Sequence, residues 1–143
     1  MAIAFLFMVQ NAFAAGSCTQ SASQVDDHTR TVTFSCTGDA ANGSIPDTPT
    51  NTANTTFITG WYFYNIEVDP GATAPDAADV LIKNAAGRDL LDGLGTNRIH
   101  ATATQSMSDS MPFFEAVEGA LTLDVNSQAT ASALYTVKLI FVK

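Results

Sequence analysis

Residues 57–68, Phe-Ile-Thr-Gly-Trp-Tyr-Phe-Tyr-Asn-Ile-Glu-Val, constrain the fold more than any other stretch of the chain. They hold the single Trp and two of the three Tyr, with no proline among them. β-branched and aromatic side chains fit a pleated, half-buried surface, so the stretch predicts a strand. Counted by twos, Thr59, Trp61, Phe63 and Asn65 share one face, and Ile58, Tyr62, Tyr64, Ile66 and Val68 the other. Both faces carry large apolar groups. That predicts cover on both sides, a sandwich interior on one and a partner on the other.

A chain of 143 residues is long enough to bury a core and short enough for one domain. Charged residues are 14% of it, below the usual share of about a quarter. Thr, Ser, Ala and Asn fill the polar positions instead, a composition that suits β-proteins and extracellular structural proteins. The formal net charge is −8, with six Lys and Arg together. Such a chain repels a phosphate backbone, which argues against a nucleic-acid partner.

The N-terminus carries a second signal. Residues 2–9 are an apolar run, and Ala12-Phe13-Ala14 supplies the small-x-small pattern of a cleavage site before Ala15. The run is too short to span a bilayer as a helix. Residues 1–14 therefore read as a signal peptide, although no Lys or Arg precedes the apolar run. The alternative is an apolar N-terminal strand that packs into the fold. Export agrees with the two cysteines, Cys18 and Cys36, which an oxidising compartment would pair. The alternative there is two free thiols in a reducing compartment. No further ligands at zinc spacing accompany them. After processing, no membrane partner is expected, and the location is extracellular or at a cell surface.

Residues 15–143 then read as one β-sandwich domain. In residues 30–36, Val32, Phe34 and Cys36 alternate with Thr31, Thr33 and Ser35. With Asp26-Asp27-His28 as a turn, this predicts a hairpin stapled by Cys18 and Cys36. Residues 37–56 predict a long polar loop. Within it, Asn42-Gly43-Ser44 and Asn54-Thr55-Thr56 match the glycosylation sequon. The aromatic strand ends at Asp69-Pro70-Gly71, where Pro sets φ and Gly takes the positive-φ position. Short strands are predicted near 79–83 and 99–104, separated by a Gly-rich bend at 87–95. Residues 120–125 and 131–142 alternate on either side of Asn126-Ser127-Gln128 and predict a closing hairpin. No long 3.6-residue pattern occurs. The expected fold is all-β, an antiparallel β-sandwich of jelly-roll or Ig-like type with seven to eight strands.

The order of these motifs resembles a known group. The turn 69–71, Pro-Asp-Ala-Ala-Asp-Val-Leu at 75–81, Gly-Arg-Asp-Leu-Leu-Asp-Gly-Leu-Gly-Thr-Asn-Arg at 87–98 and Gly-Ala-Leu-Thr-Leu from Gly119 are its pieces. Together they are similar to the small β-rich virion structural proteins, capsid decoration-like, of tailed phages and prophages. The resemblance covers residues 57–143, and more loosely 18–36. It implies a virion surface or assembly role and no catalysis. A signal peptide and a disulfide depart from it, because virion proteins assembled in the cytoplasm need neither.

Candidate chemistry is sparse. His28 and His100 have no nucleophile and orienting group placed with them by the sequence. Asp89 and Asp92, with Asp69, Asp76 and Asp79, are weak calcium candidates, since a calcium site needs six to eight oxygens and the EF-hand pattern is absent. No other cofactor and no other metal is implied. Trp61, Tyr62 and Tyr64 are the candidate interface or binding residues, as large aromatics favour cores and interfaces. The sequence thus points to a non-enzymatic, self-assembling structural subunit: an extracellular filament or surface protein, or a virion decoration protein. The alternative is a secreted module binding a glycan or another polymer.

Overall fold

The chain opens on the expected hairpin. Strand β1 (Ser17–Asp26) turns at Asp27-His28 and returns as β2 (Thr29–Thr37). The amide of His28 donates to the Asp26 side chain and closes the turn. Cys18 and Cys36 are direct cross-strand partners, with their sulfurs at disulfide distance. The computed structural model describes residues 14–107 and 114–143. Of the N-terminal segment 1–14, all but Ala14 lies outside the described residues.

Seven more strands follow among the described residues, β3 (Thr48–Pro49), β4 (Tyr62–Pro70), β5 (Asp79–Lys83), β6 (Gln105–Ser106), β7 (Glu115–Ala116), β8 (Thr122–Asn126) and β9 (Leu134–Val142). They form two antiparallel sheets. The larger has the order β1-β2-β9-β4-β6, with β7 also on β4; the smaller is β3-β8-β5. Val32 and Phe34 of β2, Ile66 and Val68 of β4, and Val137, Leu139 and Phe141 of β9 meet Val80, Ile82, Leu123 and Val125 of the smaller sheet in one buried cluster. The fold is the expected all-β antiparallel sandwich. The strand count exceeds the expected seven to eight because β3, β6 and β7 are two residues each, too short to leave an alternation in the sequence.

The two-faced aromatic stretch has a different cause from the one expected. β4 pairs Phe63 with Phe141 and then Asn65 with Ile140, so Tyr64 is an extra residue in a β-bulge. A bulge shifts the side-chain phase by one. Before it Trp61 and Phe63 point inward; after it Ile66 and Val68 do. One inner face therefore takes apolar residues from both parities. Asn65 falls on the outer side opposite Ile140, yet it is 5% exposed. Its amide group is satisfied there, donating to the Ser106 hydroxyl and accepting from the Met107 amide.

The aromatic stretch also starts later than expected. Helix α1 (Thr52–Ile58) takes up Phe57, Ile58 and the end of the expected loop 37–56. It spans less than two turns, and three of its seven residues are Thr, so no apolar periodicity marks it. What holds it is local. Asn51 caps the Asn54 amide, Ile58 enters the core, and Gly60, at φ 80°, turns the chain into β4. Asn54 is 7% exposed and bonds the Gln20 side chain, so that sequon is closed in the folded chain.

The closing hairpin is not formed. β8 pairs with β3 and β5, whereas β9 pairs with β2 and β4. Residues 127–133 cross from one sheet to the other, with Ser127 and Ser132 at positive φ and Gln128 buried. Alternation shows which face of a strand is buried but not which strand it bonds.

Two predictions follow from this packing. The Tyr135 hydroxyl is buried without a hydrogen-bond partner among the described residues, and desolvation raises its pKa above the ordinary tyrosine value. A raised folded pKa means stability holds below the ordinary value near 10 and declines as pH rises past it. Tyr135→Phe should be neutral or stabilising at pH 7 and should flatten that alkaline decline, as read by urea denaturation across pH. Replacing both cysteines by Ser should lower stability by about 3 kcal/mol, the chain-entropy value for closing a loop of this size. Dithiothreitol on the wild type should reproduce that loss.

Candidate functional site

β4 and β9 lie side by side and place aromatic residues on the outer face of the larger sheet. Tyr62 pairs with Val142, and both project outward because Phe63 and Phe141 beside them project in. Tyr62 is 46% exposed and Phe114, just before β7, is 62% exposed. The Phe114 ring stacks on Tyr64, centroids 5.4 Å apart and planes within 7°. Tyr62, Phe114, Val142 and Lys143 line an open cleft of about 320 Å³. Val25, on β1, is the one other large hydrophobic residue that the fold leaves this exposed among the described residues.

Of the three residues expected at an interface, Tyr62 and Tyr64 lie on this face and Trp61 does not. Trp61 is 5% exposed and belongs to the core. Its backbone bonds Val117, which ties it under the strand connection. The Arg30 guanidinium stands 4.2 Å from the Trp61 ring and 4.3 Å from Phe57, and it donates to the Phe57 carbonyl. Trp61 is thus an anchor for a cation–π contact and is unavailable as a platform for a ligand. Phe114 and Val142 were not singled out by the sequence. The Phe113-Phe114 pair is their only signal, and it sits in an apolar stretch too interrupted to assign a face.

Four of the five aspartates suggested for calcium accept hydrogen bonds from the chain. Asp89 accepts from the amides of Ile82, Leu91 and Gly93. Asp79 accepts from Asn97, Asp76 from Ala129, and Asp69 from the Thr104 hydroxyl. Asp92, at φ 48°, sits in the bend itself. Asp79 and Asp89 do border one shallow cleft with Thr96 and Asn126. No group of three or more metal-ligating side chains comes together among the described residues. The bend is held by close approach: a Cβ on Gly95 would stand 1.7 Å from the Val80 carbonyl oxygen.

The histidines serve separate turns. His28 lies between β1 and β2, and the His100 ring nitrogen accepts from the amides of Thr102 and Ala103. A second groove, of about 420 Å³, runs along residues 84–86 and 115–121. Glu115 on its wall is taken by an ion pair with Arg88.

The Arg30 contact yields a prediction. Arg30→Ala should lower stability by about 1–2 kcal/mol, from the lost cation–π and carbonyl contacts. The Trp61 emission maximum should move to longer wavelength as water reaches the ring, and Arg30→Lys should restore only part of the loss.

No protein-family model matches the chain, and no curated protein does. Among solved structures, a cupin domain of Bordetella pertussis Tohama I is similar over 91% of this chain and 97% of that one, at 12% identity and a TM-score of 0.33. No property of that domain is carried over to this chain.

Proposed function

We propose that this chain is a non-enzymatic structural subunit that associates with copies of itself, as an extracellular filament or surface protein or as a virion decoration protein. The observation that supports this reading is the outward patch of Tyr62, Phe114 and Val142, which gathers two of the three exposed large hydrophobic residues among the described residues. Exposed aromatic rings grouped on a rigid sheet are costly in water and are the residue types that anchor interfaces. Among the described residues, Lys143 is the one charged side chain in the cleft lining. The surface that fits it best is another apolar one, and a second copy supplies it at equal concentration. The composition agrees: a surface built from Thr, Ser and Ala lets identical subunits meet without desolvating many charges.

The exposed Tyr62 also favours a second reading, a secreted glycan- or polymer-binding module in which the ring stacks on a sugar. A sugar platform needs polar partners around the ring. Among the described residues, the cleft offers the Tyr62 hydroxyl and Lys143 for that purpose.

Sedimentation velocity over a concentration series separates the two. Association that is weakened by Phe114→Ser and Tyr62→Ser, with the fold unchanged by circular dichroism, supports the subunit. A monomer at every concentration, whose tyrosine fluorescence is quenched by a glycan, supports the binding module and removes the subunit.

A further inference from the structure

Strand edges carry unpaired backbone groups, and folded proteins protect them with brevity, charge, proline, bulges or cover. Three edges of this sandwich are protected in those ways. β6 and β7, which flank β4, are two residues each. β3 is two residues and ends in Pro49. β5 is covered by the bend after it, through bonds from the Val80 amide to Gly95, the Leu90 amide to Ile82 and the Ile82 amide to Asp89.

β1 is different. It runs ten residues, Ser-Cys-Thr-Gln-Ser-Ala-Ser-Gln-Val-Asp, and contains no Lys, Arg or Pro. Its irregularity is confined to the far end, between Gln24 and Asp26. Among the described residues, its backbone bonds β2 and nothing else. It is also held rigidly from within. The Gln20 side chain donates to the Pro49 carbonyl and accepts from the Asn51 amide and Asn54 side chain. Cys18 ties it to Cys36.

The direction of the free groups can be derived. The Cα atoms of Cys18 and Cys36 are 4.0 Å apart. That short spacing marks a non-hydrogen-bonded pair, whose amide and carbonyl point away from the partner strand. By alternation, Cys18, Gln20, Ala22 and Gln24 all present N–H and C=O to the open edge. This set is self-complementary. A two-fold axis beside Ser21 brings Cys18 opposite Gln24 and Gln20 opposite Ala22, so each outward group meets its counterpart.

We propose that β1 pairs antiparallel, edge to edge, with β1 of a second copy, joining two larger sheets into one continuous sheet. This rests on the reading of the chain as a self-associating subunit and names a surface two strands away from the aromatic patch. The occupant is a second copy because the strand is uncharged up to Asp26, so like strands meet without repulsion although each chain carries −8. The pairing is isologous and closes at a dimer. The aromatic patch stays free to extend it.

Sedimentation equilibrium and amide hydrogen exchange on the full chain test the pairing. Raising the concentration should slow exchange at Cys18, Gln20, Ala22 and Gln24 and leave Thr19 and Ser21, already bonded to β2, unchanged. Ala22→Pro deletes one outward N–H and no bond to β2, so the hairpin should survive. Ser21→Lys leaves the backbone intact and sets two ammonium groups face to face. Each should raise the dimer dissociation constant by about tenfold or more, a loss of two symmetry-related ladder bonds or the gain of one repulsion. Phe114→Ser should leave this dimer in place. Association that survives both β1 variants but is lost in Phe114→Ser overturns the edge pairing alone. A wild type that stays monomeric overturns both the pairing and the subunit reading.

Discussion

The position of β9 between β2 and β4 is the constraint on which the rest of the structure depends. β9 pairs with β2 along its whole length, from Thr29–Val142 to Thr37–Leu134, and with β4 from Tyr62–Val142 to Pro70–Tyr135. Its inner side chains, Tyr135, Val137, Leu139 and Phe141, are all at most 2% exposed. A strand bonded on both edges and buried on one face cannot slip by one residue without turning that row to water. The stapled hairpin hangs from one side of it, and the aromatic strand from the other.

That fixed register gives the bulge at Tyr64 its consequence. Because β9 does not shift, the extra residue must be absorbed by β4, and the inward parity changes there. Alternation before the bulge sets Trp61 and Phe63 inward and Tyr62 outward, and the inserted Tyr64 then hands the inner face to Ile66 and Val68 rather than to Asn65. One inserted residue thus lets Tyr62 and Ile66, of equal parity, face opposite ways. The proposed association surfaces lie on the same sheet, with the aromatic patch near its β4 side and the open β1 strand at its other edge. A subunit with two such surfaces has the geometry needed to extend an assembly beyond a pair.

Much of this was legible in the residues. Alternation at Val32, Phe34 and Cys36, and at Tyr135 to Phe141, identified two strands and their buried faces, because burial on one side leaves a period of two. The turn at Asp26-Asp27-His28 brought Cys18 opposite Cys36 as expected. The helix at Thr52–Ile58 was not legible, since a seven-residue helix draws its stability from a cap and from burial of Ile58 and carries little pattern of its own. The bonds that the aspartates accept were not legible, because Asp serves both to bind cations and to clip loops, and its hydrogen-bond partners lie across the fold.

The sequence by itself determined the class of the fold, the identity of the stapled hairpin and which residues of its long strands face the core, all of which depend on neighbours along the chain. Tertiary structure decided what depends on neighbours across it. It sent β8 and β9 to different sheets, placed the phase change at Tyr64, buried Trp61 against Arg30, and left β1, among the described residues, paired along one edge alone. Strand pairing is selected by the packing of whole sheets, and backbone amides carry no side-chain signature of whether their partners are present.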